Sequence, residues 1–264
     1  MSIAYFSPTL STKKTALKLA WGLGLKCPTN MICLTNPNTR AAQHSFSPSE
    51  MMILAAPVYD GRLPKISPGI LENISGSGTP AVGVVSYGGR GYDDALLEMK
   101  DLLEMSGFAV LGAGAFVAAH SLSKVLAAGR PDQDDLKEIL EFGRKIRQII
   151  DDADASKLGM RTPISVPGNF PYREAPPSAV VPPRMDSADD DCAKCKLCYS
   201  WCPMRAIDFK DNKIIDDKKC ILCNSCIKHC PKKIPIFADE AAISRITATE
   251  GMFADIRMDN EIFL

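Results

Sequence analysis

Apolar residues in the first part of the chain fall into short continuous runs, separated by segments with a different period. An unbroken apolar run of this kind is typical of a strand that is covered on both faces of a parallel sheet. The sequence predicts five such strands, at residues 2–6, 31–34, 51–56, 81–85 and 108–117. Because both faces of these strands must be covered, helices are expected on each side of the sheet.

Three further segments have the 3.6-residue period of an amphipathic helix. They are residues 13–23, 93–105 and 132–151. In the last of them Ile139, Phe142 and Ile146 recur at intervals of three and four, so they share one face. Strands that alternate with helices indicate an α/β layer fold. We expect residues 1–157 to form a flavodoxin-like domain, with a five-stranded parallel sheet and helices on both faces.

Proline is concentrated between residues 160 and 185. It has no N–H to donate and fixes φ, so this stretch cannot form the interior of a helix or sheet. We expect an extended linker at residues 158–186 that packs along the protein surface. A cysteine-rich domain at 187–238 and a tail at 239–264 follow, and for the tail we expect at most one short helix. The prolines of the linker are Pro163, Pro167, Pro171, Pro176, Pro177, Pro182 and Pro183.

Eight of the ten cysteines form two runs with the identical spacing C-x2-C-x2-C-x3-C-P. Three thiolates at intervals of three residues can wrap one face of a cubane, while the fourth cysteine points away towards a second site. Thiolate sulfur is the ligand that iron–sulfur clusters prefer. The proline stops the turn from continuing as a helix. The runs are Cys192, Cys195, Cys198 and Cys202 with Pro203, and Cys220, Cys223, Cys226 and Cys230 with Pro231.

This spacing resembles that of bacterial ferredoxins with two 4Fe-4S clusters, in which the fourth cysteine of each run serves the other cluster. The resemblance implies a small α+β ferredoxin domain. Two alternatives fit less well. Disulfides need an oxidising compartment, and the N-terminus does not resemble a signal peptide. Zinc sites pair two C-x2-C units without a third cysteine at the same step. The implied ligands are Cys192, Cys195, Cys198 and Cys230 for one cluster, and Cys220, Cys223, Cys226 and Cys202 for the other.

Three loops follow the predicted strands at 2–6, 51–56 and 81–85. In flavodoxin-like sheets, ligands bind outside the carboxyl ends of the strands. Hydroxyls in the first loop, just before a helix, suit a phosphate, although serine and threonine are also common N-caps. The other two loops supply tyrosine rings for a flat ligand and glycines that allow close approach. The candidate flavin-binding residues are Ser7, Thr9, Ser11, Thr12, Pro57, Val58, Tyr59, Tyr87, Gly88, Gly89, Arg90 and Tyr92.

Nearly the whole chain resembles a family of fusions between a flavodoxin-like domain and a two-cluster ferredoxin, common in anaerobic bacteria. The resemblance implies an electron carrier with FMN and two 4Fe-4S clusters. The phosphate loop departs from that of the family, which usually has glycine where this chain has Leu10 and often asparagine or threonine where it has Ser11. The resemblance rests on both cysteine runs and on Tyr5-Phe6-Ser7-Pro8-Thr9 with Thr12-Lys13-Lys14, Pro57-Val58-Tyr59 with Gly61-Arg62-Leu63-Pro64, Tyr87-Gly88 with Arg90 and Tyr92-Asp93-Asp94-Ala95-Leu96, and Pro167-Gly168-Asn169-Phe170-Pro171-Tyr172-Arg173.

Acidic and basic residues balance at 31 each, so no overall field points to nucleic acid. Residues 192–235 nevertheless hold ten Lys or Arg against four Asp. This excess either favours a reduced, more negative cluster or forms an ordinary solvated surface. No apolar stretch is long enough to cross a bilayer. We therefore expect a cytoplasmic protein that exchanges electrons with redox partner proteins, without membrane insertion.

Three functions remain open from the sequence. The first is an electron relay between the clusters and a flavin. The second is a flavoenzyme that reduces a small molecule such as a quinone, a nitro compound or a disulfide, for which we expect an open pocket beside Tyr59 and Tyr87. The third is a flavin-free ferredoxin whose first domain is a docking module, which Leu10 favours. No catalytic residues are predicted, because the chain has neither a nucleophile elbow nor a Walker loop, and His120 has no recognisable catalytic partner.

Overall fold

The computed structural model describes residues 1–25, 30–152, 163–174, 181–183, 192, 194–211, 215–233 and 240–264. Pro176, Pro177 and the ends of the predicted linker lie outside these ranges. The strands are β1 (Ser2–Tyr5), β2 (Asn30–Cys33), β3 (His44–Phe46), β4 (Met52–Pro57), β5 (Ile74–Gly76), β6 (Thr79–Tyr87), β7 (Phe108–Val117) and β8 (Glu261–Phe263). The helices are α1 (Ser11–Gly22), α2 (Pro37–Ala41), α3 (Ala95–Met105), α4 (Gln133–Asp152), α5 (Leu197–Ser200), α6 (Ser225–Lys228) and α7 (Glu240–Phe253).

Five parallel strands form the main sheet in the order β2-β1-β4-β6-β7. When these five strands are renumbered by their order in the chain, their order across the sheet is 2-1-3-4-5, which is that of the flavodoxin-like fold. β1 and β6 are buried along their whole length, as expected for strands covered on both faces. The predicted five-stranded parallel sheet is therefore confirmed. A short parallel pair of β3 and β5 lies apart from it.

Helices cover both faces of this sheet. On one face α1 and α4 pack over a core that includes Ile3, Leu19 and Phe142. The backbones of these two helices are in contact. They lie so close that a Cβ at Gly22 would be 2.2 Å from the carbonyl oxygen of Leu140. On the other face α3 covers a second core, which includes Met99. The predicted helices on both faces are confirmed.

The C-terminal tail returns to the main sheet, which the sequence did not predict. β8 pairs antiparallel with β7 and becomes a sixth strand at the sheet edge. Its approach is fixed by polar contacts, since Tyr87 Oη donates to the carbonyl oxygen of Asp259 at 2.6 Å and Val117 N donates to Asn260 Oδ1 at 2.9 Å. The tail also carries α7, a helix of 14 residues rather than a short one.

The described middle of the proline-rich linker, residues 163–174, is extended and docks on α3. Asp94 accepts hydrogen bonds from Asn169 N at 2.8 Å and Arg173 N at 2.7 Å. Tyr172 Oη donates to Asp101 Oδ2 at 2.6 Å. The linker therefore packs against the first domain over this stretch, whereas its outer boundaries at 158 and 186 stay a prediction.

Replacing Tyr172 with phenylalanine should lower the free energy of unfolding by about 1 kcal/mol, because it deletes one partly buried hydrogen bond to a carboxylate. Urea denaturation followed by circular dichroism measures the change. Ser45→Ala serves as the control, since Ser45 is exposed and contacts only Ser75 through its hydroxyl, at 3.3 Å. Equal stability of Tyr172→Phe and the control would show that the linker is not docked in solution.

Candidate functional site

A cavity opens at the carboxyl ends of β1, β4, β6 and β7, where four loops meet. It encloses about 720 Å³ of space that is partly open to solvent. Nine of the twelve predicted flavin-binding residues line it. They are Thr9, Ser11, Thr12, Pro57, Val58, Tyr59, Tyr87, Gly88 and Arg90. We refer to this space as the loop cavity.

The other three predicted residues lie behind the wall of the loop cavity. Ser7 is buried, where its Oγ accepts from Lys13 N at 3.0 Å and its own N–H donates to Thr35 Oγ1 at 2.7 Å. Tyr92 packs edge-on against Tyr87, with 5.5 Å between ring centroids. Gly89 has a φ of 80° and shapes the turn. These residues support the loops, and none of the three lines the cavity.

Leu10 adopts the backbone conformation that glycine takes at low cost. It is the N-cap of α1 with a φ of 69° and a ψ of −4°, in the left-handed region. A residue with a Cβ costs about 1–2 kcal/mol in this region. The side chain of Leu10 is 38% exposed, so it does not fill the space before the helix. Leu10 does not line the loop cavity.

The residues around the loop cavity fit a flavin mononucleotide. Ser11 and Thr12, the first two residues of the twelve-residue helix α1, line the cavity, and a helix N-terminus with hydroxyl side chains suits a phosphate. Ser86, which also lines the cavity, has a buried Oγ with no hydrogen-bond partner among the described residues. A buried hydroxyl without a partner costs free energy that a polar ligand atom would recover.

Sequence reasoning missed one complete wall of the loop cavity. Residues 118–121, immediately after β7, line it together with Ser86 and Asp60. The strand at 108–117 was predicted, and the rule that ligands bind at the carboxyl ends of parallel strands applies to it as well. Applied to the last predicted strand, this rule would have identified His120 and Ser121 as candidate binding residues.

The two cysteine runs have the same local backbone. Residues at three equivalent positions have positive φ in both runs, which turns successive N–H groups inward in the manner of an anion-binding nest. The pairs are Lys194 and Leu222 (51° and 52°), Lys196 and Asn224 (59° and 59°), and Arg205 and Lys233 (48° and 54°). Short helices follow the second pair, α5 in the first run and α6 in the second. The repeat in sequence is thus a repeat in conformation.

Cys202 of the first run lines one apolar cavity together with Cys220, Cys223 and Cys226 of the second run. This is the crossed set that the spacing predicts for one cluster. Ala206 N donates to Cys202 Sγ at 3.2 Å. Burial raises the pKa of the Cys226 thiol to about 12 and that of Cys223 further. Without metal these thiols hold their protons, so a cluster must displace protons when it binds.

The cysteines predicted for the other cluster differ in exposure. Cys195 is exposed, Cys198 is buried, and Cys192 and Cys230 are half-buried. Across the described ranges, no group of three or more His, Cys, Asp or Glu side chains is arranged to hold one metal ion. In a cubane each iron binds one cysteine sulfur. The four cysteines that hold a cubane therefore stand further apart than the ligands of a single metal ion. The four thiolates of each predicted set suit that larger group by their chemistry.

The second cysteine run is fastened to the loop cavity. Ser225 Oγ lies 3.0 Å from the carbonyl oxygen of Pro8 and 2.9 Å from that of Trp201, so its one proton is shared between them, and His229 Nε2 lies 3.0 Å from the oxygen of Pro8. Asn224 Nδ2 donates to the carbonyl oxygen of Ser121 at 2.8 Å. Pro8 and Ser121 both line the loop cavity. Two of its walls therefore rest directly on the residues beside Cys223 and Cys226.

Tyr59 lies between the two cofactor regions. It lines the loop cavity, and burial raises the pKa of its hydroxyl. Tyr59 also lines a second cavity, which encloses about 1180 Å³. Its walls include Ile221 and Leu222 from the second cysteine run and Ile246 from α7. We call it the α7 cavity.

Comparison with known proteins gives one family match. Residues 191–234 match the model of the 4Fe-4S dicluster domain. A search of curated proteins gave no match. No helix within the described ranges has both the length and the apolar character needed to span a bilayer.

Solved structures with similar folds include two flavodoxins. One is from the domain Archaea, with a TM-score of 0.40 and 16% identity over 57% of this chain and 98% of that chain. The other is from Streptococcus pneumoniae TIGR4, with a TM-score of 0.39 and 19% identity over 56% of this chain and 97% of that one. Rubredoxin oxygen:oxidoreductase from Desulfovibrio gigas has a TM-score of 0.36 and 16% identity over 57% of this chain and 35% of that one.

The strand order of the main sheet assigns the fold of the first domain independently of these likenesses. The family match assigns the second domain. The chain is therefore a fusion of a flavodoxin-like α/β domain with a 4Fe-4S dicluster domain.

Proposed function

We propose that this protein passes electrons between two 4Fe-4S clusters and an FMN held in the loop cavity. A dicluster domain indicates electron transfer by itself. The proposal assigns one cluster to Cys202, Cys220, Cys223 and Cys226, and the other to Cys192, Cys195, Cys198 and Cys230. Redox partner proteins would supply or accept the electrons, and a cytoplasmic location remains a prediction.

The observation that carries the proposal is the contact between the second cysteine run and Pro8. Ser225 and His229, which flank Cys226 and Cys230, both reach the carbonyl oxygen of Pro8 at 3.0 Å. Pro8 belongs to the loop that offers a phosphate site at α1. Electron transfer slows steeply with distance, so a rigid contact between the two cofactor regions is what a relay requires.

Residues of this chain perform three tasks in the relay. The first turn of α1 would bind the phosphate, Tyr59 and Tyr87 would border the flat ring, and the apolar walls around Cys223 would exclude water from one cluster. FMN supplies the ability to take one or two electrons, whereas each cluster takes one. Because burial keeps Tyr59 protonated, its hydroxyl donates or accepts a hydrogen bond without adding charge between the cofactor sites.

Anaerobically purified protein should contain about eight iron and one FMN per chain. Iron and acid-extracted flavin are quantified alongside the visible spectrum of the same sample. Iron without flavin would overturn the relay and favour a ferredoxin with a docking module. Zinc in place of iron would overturn the assignment of both cysteine sets.

A second candidate function is reduction of a small molecule at the flavin. The observation that favours it is the α7 cavity, which opens beside Tyr59 and shares part of its wall with the loop cavity. A relay between proteins does not need a separate cavity of this size. This function predicts turnover with a low-molecular-weight oxidant and a chemical reductant, in the absence of any protein acceptor.

A further inference from the structure

The α7 cavity is built from three parts of the chain. The strand-end loops contribute Val58 and Tyr59, the second cysteine run contributes Ile221 and Leu222, and the tail contributes Ile246. The tail is held in place by β8 and by the bond from Tyr87 Oη to Asp259. The apolar side chains of the cavity walls favour an organic ligand with an apolar body, and Asp60, Arg90 and Arg245 add charged groups to the same cavity.

His120 borders both the loop cavity and the α7 cavity. Its Nδ1 accepts two backbone hydrogen bonds, from Leu122 N at 3.1 Å and from Ser123 N at 3.0 Å. A ring nitrogen that accepts hydrogen bonds carries no proton, so the proton of the neutral imidazole lies on Nε2. No described residue is a hydrogen-bond partner of Nε2. The donor of this fixed ring is therefore left for a ligand.

The imidazole of His120 is held neutral at pH 7. Burial lowers its pKa, and the charges of Arg90 and Lys228 act in the same direction, against the carboxylate of Glu250. Protonation of Nδ1 would also break the two backbone hydrogen bonds that fix the ring. A neutral imidazole N–H is suited to bind and polarise an uncharged oxygen such as a carbonyl.

We propose that the α7 cavity binds a planar organic oxidant of the quinone class, with His120 Nε2–H donating to one of its carbonyl oxygens. This inference rests on the second candidate function. In the step it implies, the quinone takes two electrons from the reduced cofactors and two protons from solvent and becomes a hydroquinone. An external low-potential reductant restores the cofactors.

The ligand class follows from the walls and the donor together. A disulfide has no oxygen for the N–H of His120, whereas Arg90 and Arg245, which also line the cavity, can accompany an oxygen-bearing ligand. A fused-ring quinone presents apolar faces and carbonyl oxygens at its edge. Nitroarenes share part of this chemistry and form a second arm of the test.

The test measures binding to the oxidised full-length holoprotein, so it does not depend on turnover. The probe is 2-methyl-1,4-naphthoquinone, and 2-methylnaphthalene is the matched ligand without carbonyl groups. His120→Asn keeps an oxygen near Nδ1 for the two loop N–H groups and removes the outer donor. We expect it to weaken quinone binding about tenfold and to leave 2-methylnaphthalene unchanged. His120→Gln, whose amide reaches the Nε2 position, should restore most of the loss.

Ile246→Trp tests the location of the site. Ile246 lines the α7 cavity but not the loop cavity. A larger side chain there should weaken the binding of the quinone by at least about tenfold, while the iron and FMN contents stay unchanged. Quinone binding that both His120→Asn and Ile246→Trp leave unaltered would overturn the proposal. Tighter binding of nitrobenzene than of the quinone would overturn the ligand class. Absence of flavin, in contrast, is detected by the cofactor content and contradicts the proposed function.

Discussion

Replacing Cys202 with serine should lower the iron content from about eight to about four per chain and abolish the cluster of the second run. Cys202 belongs to the first run in sequence, yet it shares a cavity with Cys220, Cys223 and Cys226. Serine keeps the size of the side chain and removes the soft thiolate that the cluster needs. The surviving cluster should be the one assigned to Cys192, Cys195, Cys198 and Cys230.

Iron analysis and electron paramagnetic resonance of the reduced protein check this result. Two reduced clusters in one small domain interact magnetically, and the interaction should vanish in Cys202→Ser. Cys223→Ser should give the same spectrum as Cys202→Ser, because both remove a ligand of the same predicted cluster. If Cys202→Ser instead matched Cys198→Ser, each run would bind its own cluster and the crossed assignment would be wrong.

Cys33→Ser is the matched control for these variants. Cys33 lies at the end of β2, outside both runs, and is half-buried. The substitution removes a thiol of the same size from the same chain. Iron content and spectrum should stay at the wild-type values, which shows that loss of iron in the other variants reflects loss of a ligand.

Local patterns in the sequence predicted most of the fold. The five strands and three long helices of the first domain each have a period or an apolar run within their own residues, and each was found within a few positions. The predicted flavin-binding residues lie at the ends of strands. They could be proposed from the sequence because the end of an apolar run can be recognised there.

Features that depend on distant contacts escaped prediction. β8 has only three residues, too few for a recognisable alternation, and its place is fixed by pairing with β7 and by bonds to Tyr87 and Val117. The contact of Ser225 with Pro8 joins residues far apart in the chain, and neither residue type signals it. The free Nε2 of His120 becomes evident only when the backbone of the following turn is placed.

Leu10 shows how a correct sequence observation can have an unexpected outcome. Glycine is common at this position in the family because it tolerates positive φ. The chain keeps the positive φ with a leucine instead, at a cost of about 1–2 kcal/mol that the surrounding contacts must offset. Leu10 therefore supplies the positive φ itself, and the phosphate site can be tested directly.

Replacing Ser11 with aspartate should weaken FMN binding on the order of 100-fold, because a carboxylate would stand beside the phosphate at a partly buried site. Ser11 is the first residue of α1 and lines the loop cavity. The same charge favours the helix, since the first turn of α1 holds no acidic residue and aspartate interacts well with a helix N-terminus. Loss of FMN would then occur without loss of stability. Fluorescence titration of flavin-free protein with FMN measures the affinity.

Two comparisons assign this loss to the charge. Ser11→Asn has nearly the size of Ser11→Asp without its charge, and it should bind FMN within a few-fold of wild type. Riboflavin has the ring but no phosphate, so Ser11→Asp should leave its affinity unchanged. Wild-type affinity of Ser11→Asp for FMN would place the phosphate away from α1 and remove the basis of the loop assignment. Failure of the wild type to bind either flavin would instead favour the docking module, in which the contact of Ser225 with Pro8 only holds the two domains together.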